Sequence, residues 1–198
     1  MYPPSYHQSK DKQKMIALIK QFPLAMLVSV INEKPIITHL PVIFNEETGK
    51  LVSHIDVNNP QANLLKDNKE VTLIFKGPDC YISPSVYTTN QLPTWNYLMV
   101  HITGKASKIS NLEKAKQTMV AMTEFLEAPN HKFRLAIDNP KMDKFINYIH
   151  AFEIEITNWE GKFKLSQDKC DQDQENAKQE LIKKSSEDIT GFINKMYL

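Results

Sequence analysis

The chain has 198 residues, of which 41% are hydrophobic, and a formal net charge of +1 at pH 7. This length and composition are sufficient for a substantial core, so a single domain over residues 1–198 is expected. Because basic and acidic residues nearly balance, the charge argues against a broad basic surface for DNA or anionic lipid. No segment has the apolar length of a transmembrane helix or the pattern of a secretory signal, so the cytoplasm is the expected location.

The first part of the chain is predicted to form a helix and a β-hairpin. Apolar residues repeat at helical spacing up to Pro23 and predict an amphipathic helix over about residues 10–21. The chain then becomes β-branched and apolar, which predicts two strands within residues 24–44, joined by a turn at residues 32–34. Residues 45–50 are expected to form the next turn.

Three further strands are predicted over residues 51–54, 70–76 and 97–109, the last of them bent at Gly104. Asn59 can cap, and Pro60 can begin, a short helix between the first two of these strands. The free backbone N–H groups at a helix start favour an anion such as phosphate. An ordinary capped helix is the alternative explanation of the same pattern.

The second half of the chain is predicted to be helical on both sides of one more β segment. Ser110 and Glu113 have the spacing of a capping box and predict a helix to about residue 127. An Asn-Pro pair at residues 139–140 predicts a second helix to about residue 148. Residues 150–157 and 161–165 are expected to form the last strand or hairpin. A charged helical segment follows, with apolar positions at Leu181, Ile182, Ile189, Phe192 and Ile193.

Residues 75–104 place Tyr81, Tyr87, Trp95 and Tyr97 among prolines and are expected to contain an irregular segment. Aromatic side chains held by proline turns lose little entropy when a flat molecule docks against them, so this segment suits a ligand or partner surface. Aromatic side chains that close the end of a β-barrel explain the pattern equally well.

Several motifs are distributed along nearly the whole chain: Met1-Tyr2-x-Pro4, Thr38-His39-Leu40-Pro41, His54-x-x-x-x-Asn59-Pro60-Gln61, Phe75-Lys76-Gly77-Pro78, Tyr81-Ile82-Ser83-Pro84, Pro93-Thr94-Trp95-Asn96-Tyr97 and Lys162-x-Lys164-Leu165-Ser166-Gln167. In this order they resemble the PaiB-type family, the FMN-binding negative transcriptional regulators of bacteria. Each motif alone would be a weak signal, and their common order makes the resemblance specific.

The resemblance implies an α+β fold with a mostly antiparallel split β-barrel of about six strands, as in pyridoxamine-phosphate-oxidase-like flavoproteins. Peripheral helices and a C-terminal helical segment over about residues 168–198 would complete it. The resemblance also implies a homodimer with FMN between the subunits. Two departures weaken the expectation of FMN: Val57 stands where the family commonly has a cation, and Ala62 stands where an aromatic residue often follows the glutamine. A flavin phosphate needs cations, whereas neither departure disturbs a core pattern.

Carried onto this chain, the resemblance nominates a set of cofactor-binding residues: Thr38, His39, Leu40, His54, Asn59, Gln61, Trp95, Asn96, Tyr97, Lys164, Ser166 and Gln167. Strand alternation would turn Thr38 and Leu40 to one face and His39 to the other. Lys164 gains interest because Val57 leaves the phosphate without one cation. Each of these residues also has an ordinary structural explanation, such as a solvated strand end or a core position.

Three functions remain open at this stage. The first is a ligand-sensing regulator that binds FMN or a related flat anion, with any effect on transcription passing through the ligand or a partner, since the charge does not support strong DNA contact. The second is an FMN-dependent oxidoreductase, although no catalytic residue can be named. The third is a dimeric interaction module that has lost its cofactor.

Other chemistries are not expected. The five glycines form neither a Gly-x-Gly-x-x-Gly nor a phosphate-loop pattern, and no Gly-x-Ser-x-Gly elbow occurs. The six histidines and the two cysteines, Cys80 and Cys170, lack metal-ligand spacing, so no metal site and no disulfide is expected.

Overall fold

The computed structural model describes residues 4–190, 193 and 196 of the chain. Within them, antiparallel strands combine with helices, which confirms the predicted α+β class. The described strands are β1 (Gln8–Ser9), β2 (Leu24–Ile31), β3 (Lys34–Pro41), β4 (Ile43–Asn45), β5 (Lys50–Asp56), β6 (Lys69–Ile82), β7 (Thr94–Lys108) and β8 (Ile149–Lys164). The described α-helices are α1 (Lys12–Gln21), α2 (Leu112–Glu127), α3 (Pro140–Phe145) and α4 (Asp171–Ser185). Short 3₁₀ turns cover Ser5–His7, Pro60–Leu64, Pro84–Val86 and Ile146–Tyr148.

The described strands form one sheet in the order β3-β2-β6-β7-β8-β5-β4, with β1 paired to β8. This sheet has eight strands within residues 4–190 rather than the six or so predicted. The strands that the sequence does not reveal are β1 and β4, of 2 and 3 residues, which are too short to show a period-two pattern.

The chain divides into two compact units. The first unit comprises Met1–Lys10, Gly77–Met99 and Gly161–Leu198, and the second comprises Asp11–Lys76 and Val100–Glu160. β6, β7 and β8 each contribute residues to both units.

In the second unit the strands close on themselves. β3 and β4 stand at the two ends of the strand order, yet only Val42 separates them in the chain. Ser53 of β5 donates a hydrogen bond to the backbone oxygen of Pro41 at 2.6 Å, across this junction. The ends of the sheet therefore meet, and the barrel interior is filled by side chains that are 0% exposed: Leu27, Leu51, Leu73, Phe75, Ile102, Phe152 and Ile154.

Helices cover part of the outside of this barrel. Met122 of α2 packs against Ile43 and Val52, on the strands β4 and β5. Ala115, about two turns earlier in α2, packs against Ala151 of β8. α1 buries Met15, Leu18 and Ile19 along one face, as its spacing predicts.

The first unit is built around the far ends of β6, β7 and β8. β1 pairs with β8, with Gln8 opposite Lys162. Its apolar cluster joins the strand residues to α4 and consists of Cys80, Ile82, Tyr87, Ala177 and Leu181. The Asn176 amide of α4 donates to the backbone oxygen of Val86 at 2.8 Å and holds the loop before β7 against the helix.

Several predicted boundaries are wrong. Residues 75–82 belong to β6 and residues 94–104 to β7, so only residues 83–93 of the aromatic segment lie outside strands. Asn111, rather than Ser110, caps α2, since its side chain accepts from the Lys114 N–H at 2.9 Å. Of the two forms predicted for the last β segment, strand or hairpin, the structure has one continuous strand, β8. The predicted apolar position Phe192 lies outside the described residues, and α4 ends at Ser185.

Other predictions are confirmed. The hairpin turn has positive φ at Asn32 and Glu33, at 49° and 64°. Asn59 caps the turn that begins at Pro60, and Asn139 caps α3. In the part of the chain that the structure describes, no helix is long and apolar enough to cross a membrane.

Candidate functional site

A buried polar cluster of the first unit joins two of the predicted site residues. Ser166 follows β8 and has φ 63°, in the left-handed region that few non-glycine residues adopt. Its hydroxyl lies 2.9 Å from the Tyr87 hydroxyl and accepts from the Asn96 amide nitrogen at 3.1 Å. Ser166 and Asn96 are 3% and 1% exposed, so the cluster is fixed in place by its own hydrogen bonds.

Ser166 and Asn96 also line a cavity of about 260 Å³, which we call the lysine cavity. The lining residues are Tyr6, His7, Gln91, Leu92, Pro93, Thr94, Asn96, Lys164, Ser166, Asp168 and Lys169. The Lys169 ammonium pairs with Asp168 at 2.8 Å. The Lys164 ammonium donates to the Thr94 hydroxyl at 2.5 Å, and it pairs with no carboxylate within residues 4–190. Among the described residues, the cavity therefore presents one cation without a carboxylate partner, Lys164, beside hydroxyl and amide groups.

His7 is a further member of the lysine cavity that the sequence did not reveal. Its ring is buried and meets the Tyr6 ring edge to face, with centroids 4.4 Å apart. Burial lowers the pKa of His7, and the nearby Lys164 lowers it further, which favours the neutral imidazole. The sequence around His7 contains no binding motif that would mark it as a site residue. His7 lies beside Lys164 only because β1 pairs with β8, which is a tertiary contact.

Three other predicted residues of the first unit are Trp95, Tyr97 and Gln167. The Trp95 indole N–H donates to Asp79 at 2.9 Å, and the ring is 49% exposed. The Lys162 ammonium lies 5.3 Å from the centroid of the Tyr97 ring. The Gln167 side chain folds back on its own strand end, where it accepts from the Leu165 N–H at 2.7 Å. These three residues do not line the lysine cavity.

In the second unit, Thr38, Asn59 and Gln61 are brought together. The Asn59 amide donates to the Thr38 hydroxyl at 3.2 Å, and its oxygen accepts from the Gln61 N–H at 2.9 Å. The Gln61 amide is 0% exposed and donates to Leu27, Ser29 and Ile36 at 3.0–3.1 Å, while its own oxygen has no hydrogen-bond partner among the described residues. Gln61 thus fastens the Pro60–Leu64 turn to the inside of the β2–β3 hairpin.

At the predicted phosphate position on this turn, backbone N–H groups already donate to side chains of the protein. The turn is a 3₁₀ segment of 5 residues, and Asn59 already accepts from the Gln61 N–H. The Asn58 N–H donates to Asp56 at 2.7 Å. A phosphate held there would have to displace these contacts.

Leu40, His39 and His54 take three different positions in the second unit. Leu40 is buried, whereas His39 is exposed on the opposite face of β3. His54 follows Val52 by two residues in β5 and therefore shares its face, which packs against α2. Burial lowers the pKa of His54, and its Nδ1 atom is buried with no hydrogen-bond partner in the part of the chain that the structure describes. The structure does not bring His54 to Thr38, Asn59 and Gln61.

Comparison with known sequences identifies the family. A family model described as "Putative FMN-binding domain" matches residues 1–158. The chain belongs to this FMN-binding domain family. The chain is 28% identical over 184 residues to the protease synthase and sporulation protein PAI 2 of Bacillus subtilis, covering 91% of this chain and 89% of that protein. It is also 26% identical over 214 residues to the uncharacterized protein AN0679 of Emericella nidulans, covering 85% of each.

Two solved structures with the same fold carry names that describe flavin-binding proteins. The FAD and heme binding protein from Mycobacterium smegmatis superposes with a TM-score of 0.67 at 18% identity, over 84% of this chain and 78% of that one. The flavocytochrome Anf3 from Azotobacter vinelandii gives a TM-score of 0.64 at 16% identity, over 82% of this chain and 72% of that one. At these identities the likeness concerns the fold alone, and it confirms the predicted split-barrel fold. For this FMN-binding domain protein, family and fold together support a flavin as the cofactor class.

Proposed function

We propose that this chain binds FMN and acts as a ligand-sensing negative transcriptional regulator of the PaiB type. The observation that carries the proposal is the match of the FMN-binding domain family over residues 1–158, on a fold shared with flavoproteins. The regulatory part rests on the motif resemblance, which the 28% identity to the Bacillus protein supports.

The lysine cavity fits the polar part of a flavin nucleotide. Lys164 would hold the phosphate, because its ammonium is half-buried and its contact is a neutral hydroxyl. Ser166, Asn96 and Thr94 offer the hydroxyl and amide groups that a ribityl chain can bind. Lys164 thereby supplies the charge that Val57 does not. When bound, the flavin itself supplies electron and hydride transfer chemistry, and the protein positions it.

The remaining nominated residues divide by their contacts. Asn59 and Gln61 already hold the β2–β3 hairpin, and a ligand at these residues would reach the unpartnered oxygen of Gln61. His39 lies on an exposed face and would reach a ligand held between two copies of the chain.

A homodimer is part of this proposal, and the outer face of the β2–β3 hairpin supports it. Leu24, Val30 and Ile37 are 62%, 63% and 50% exposed. The register places Val30 opposite Pro35 and Val28 opposite Ile37, so the apolar side chains form one continuous patch. An exposed apolar face of this kind is typical of a protein–protein interface. Ile37→Glu is expected to give monomers by analytical ultracentrifugation, and a dimer that survives this change would exclude the patch as the interface.

Regulation through a ligand or a partner fits the rest of the molecule. α2 and α3 are separated by residues 128–139, far more than the turn of a helix-turn-helix. The net charge of +1 also gives little attraction to DNA. We place the protein in the cytoplasm, where such regulators act.

The cofactor is tested by the absorbance spectrum of the purified protein and by titration with FMN. Retained flavin absorbance, or saturable quenching of FMN fluorescence, is the expected result. Native mass spectrometry of the same sample gives the subunit count and the mass of any retained molecule. No absorbance and no saturation would remove the ligand claim and leave the cofactor-less dimer.

An FMN-dependent oxidoreductase is the second candidate, because the solved flavocytochrome shares the fold. Steady consumption of reduced nicotinamide with added FMN would favour the enzyme. Binding of FMN without turnover would favour the sensor.

A further inference from the structure

A second cavity of the first unit has a different chemistry from the lysine cavity, and we call it the Trp95 cavity. Its volume is about 400 Å³. The lining residues are Asp79, Cys80, Tyr81, Ser83, Trp95, Glu180, Lys184 and Glu187, none of which lines the lysine cavity. Two aromatic rings and three carboxylates thus border one open space.

The two rings are held with exposed faces. Asp79 and Tyr81 are two residues apart in β6, so their side chains lie on the same face of the strand. Trp95 belongs to the neighbouring strand β7. The centroids of the Tyr81 and Trp95 rings are 6.3 Å apart at an interplanar angle of 59°. The hydrogen bond from the Trp95 indole to Asp79 fixes the orientation of the indole ring. Tyr81 and Trp95 nevertheless each remain 49% exposed. Each ring can therefore offer its electron-rich face to a ligand.

The charges around the rings favour a cation. Lys184 pairs with Glu187 at 2.5 Å, so these two charges neutralise each other. Glu180, one helical turn before Lys184 in α4, is half-buried, and within residues 4–190 its carboxylate has no hydrogen bond or ion pair. Glu180 and the Lys184–Glu187 pair together leave the cavity with net negative charge. An anionic ligand would be repelled by these carboxylates.

We propose that the Trp95 cavity binds a small organic ammonium ion. An ammonium carrying alkyl groups is weakly hydrated, so it can contact the faces of Tyr81 and Trp95 while Glu180 balances its charge. A hydrated inorganic cation gains little from the rings and would need more carboxylate oxygens than Glu180 provides. The proposal does not depend on FMN in the lysine cavity, because the lysine cavity and the Trp95 cavity share no lining residue.

Tryptophan fluorescence provides a direct test on the full chain. The chain has two tryptophans. Trp159 belongs to the second unit, where it packs against Phe44, so Trp159→Phe leaves Trp95 as the reporter. Choline chloride is titrated into this variant at constant ionic strength, beside sodium chloride and the uncharged carbon isostere of choline. We expect saturable quenching by choline alone, with a dissociation constant in the millimolar range.

Two variants and one matched control separate the site from a general charge effect. Glu180→Gln and Tyr81→Leu are each expected to weaken choline binding by about fivefold. Glu175→Gln removes the same charge from the same helix outside the cavity and is expected to leave binding unchanged. Circular dichroism checks that each variant is folded. Equal quenching by the uncharged isostere, equal weakening by the two glutamine variants, or no saturation would overturn the proposal.

Discussion

The Ser166 hydroxyl lies 2.9 Å from the Tyr87 hydroxyl, which belongs to a residue 79 positions earlier in the chain. Ser166 holds this contact from a backbone with φ 63°, a conformation that costs a residue with a side chain about 1 kcal/mol. The surrounding hydrogen bonds must offset that cost. A strained and buried hydroxyl at the edge of a cavity is typical of a residue whose position matters for binding.

Two substitutions at Ser166 separate strain from hydrogen bonding. Ser166→Ala leaves the Tyr87 hydroxyl and the Asn96 amide without this partner and is expected to lower the free energy of unfolding by about 1–3 kcal/mol. Ser166→Gly loses the same hydroxyl but relieves the backbone, so it is expected to be about 1 kcal/mol more stable than Ser166→Ala. Urea denaturation measures both. A glycine variant less stable than the alanine variant would contradict this account of the strain.

The Asp173 carboxylate is expected to stabilise the loop before β7. It accepts from the Thr88 N–H at 2.6 Å and from the hydroxyls of Thr88 and Thr89 at 2.8 Å and 2.5 Å. The hydrogen bond from Thr89 is the main cause that lowers the pKa of Asp173 from 3.8 to about 2. Because the folded pKa is lowered, this stabilisation is complete above pH 3.8 and is lost as the pH falls towards 2.

Asp173→Asn tests this role. The variant is expected to unfold several degrees below the parent near neutral pH. It is also expected to lose less stability than the parent as the pH falls towards 2, because it has no carboxylate at residue 173 to protonate. Thermal unfolding by circular dichroism measures the difference between the two proteins. Asp171→Asn, at the exposed first residue of α4, is the control. Equal midpoints for the parent and Asp173→Asn would show that the carboxylate is not needed.

The fold was predictable where local signals agree. The hairpin at residues 24–41 and the caps at Asn59 and Asn139 follow from residue type alone. The extension of β6 through Pro78 was not predictable, because proline normally interrupts a strand. In the structure, β2 pairs with β6 only up to Phe75. Pro78 lies beyond this pairing, so its missing N–H does not cost a hydrogen bond to β2.

The candidate site was predictable only in part. Lys164, Ser166 and Asn96 came from motifs, and the structure places all three at one cavity. His7 could not be found, because its position depends on the register between β1 and β8, which no local pattern encodes. His54 could not be assigned a face from its motif, since that assignment requires knowing that α2 covers the Val52 side of β5.

Gly104 is expected to be required by the close approach of β7 to β8. A Cβ atom at this position would lie 2.4 Å from Ile154 Cγ2 and 2.6 Å from the backbone oxygen of Glu155. Gly104→Ala is therefore expected to lower the free energy of unfolding by about 1–3 kcal/mol or more. Gly49→Ala is the matched control: it has open space but φ 68°, so a loss of about 1 kcal/mol is expected. Denaturant unfolding of the two variants measures both losses, and a smaller loss at Gly104 than at Gly49 would contradict the packing argument.

Histidine burial predicts a loss of stability in mild acid. Burial is the first cause that lowers the pKa of both His54 and His150 from 6.5. The unfolded chain therefore takes up protons before the folded one as the pH falls below 6.5, and stability decreases through that range. The unfolding midpoint is expected to be lower at about pH 5.5 than at about pH 7.5. His54→Gln is expected to reduce this difference, whereas His39→Gln, at an exposed side chain, is expected to retain it.

Lys164 is expected to contribute more to FMN affinity than a neighbouring lysine of the same strand. Lys164 lines the lysine cavity and has no carboxylate partner among the described residues, whereas Lys162 lies over the Tyr97 ring. Loss of one charge-assisted contact to a phosphate is expected to weaken FMN binding by about tenfold in Lys164→Ala. Lys162→Ala removes the same charge and is expected to change the affinity by less than about twofold. Fluorescence titration with FMN measures both, with riboflavin as a ligand that lacks the phosphate. If Lys164→Ala weakens the binding of riboflavin and of FMN equally, the lysine does not hold the phosphate. Another cation of the assembly would then have to hold it.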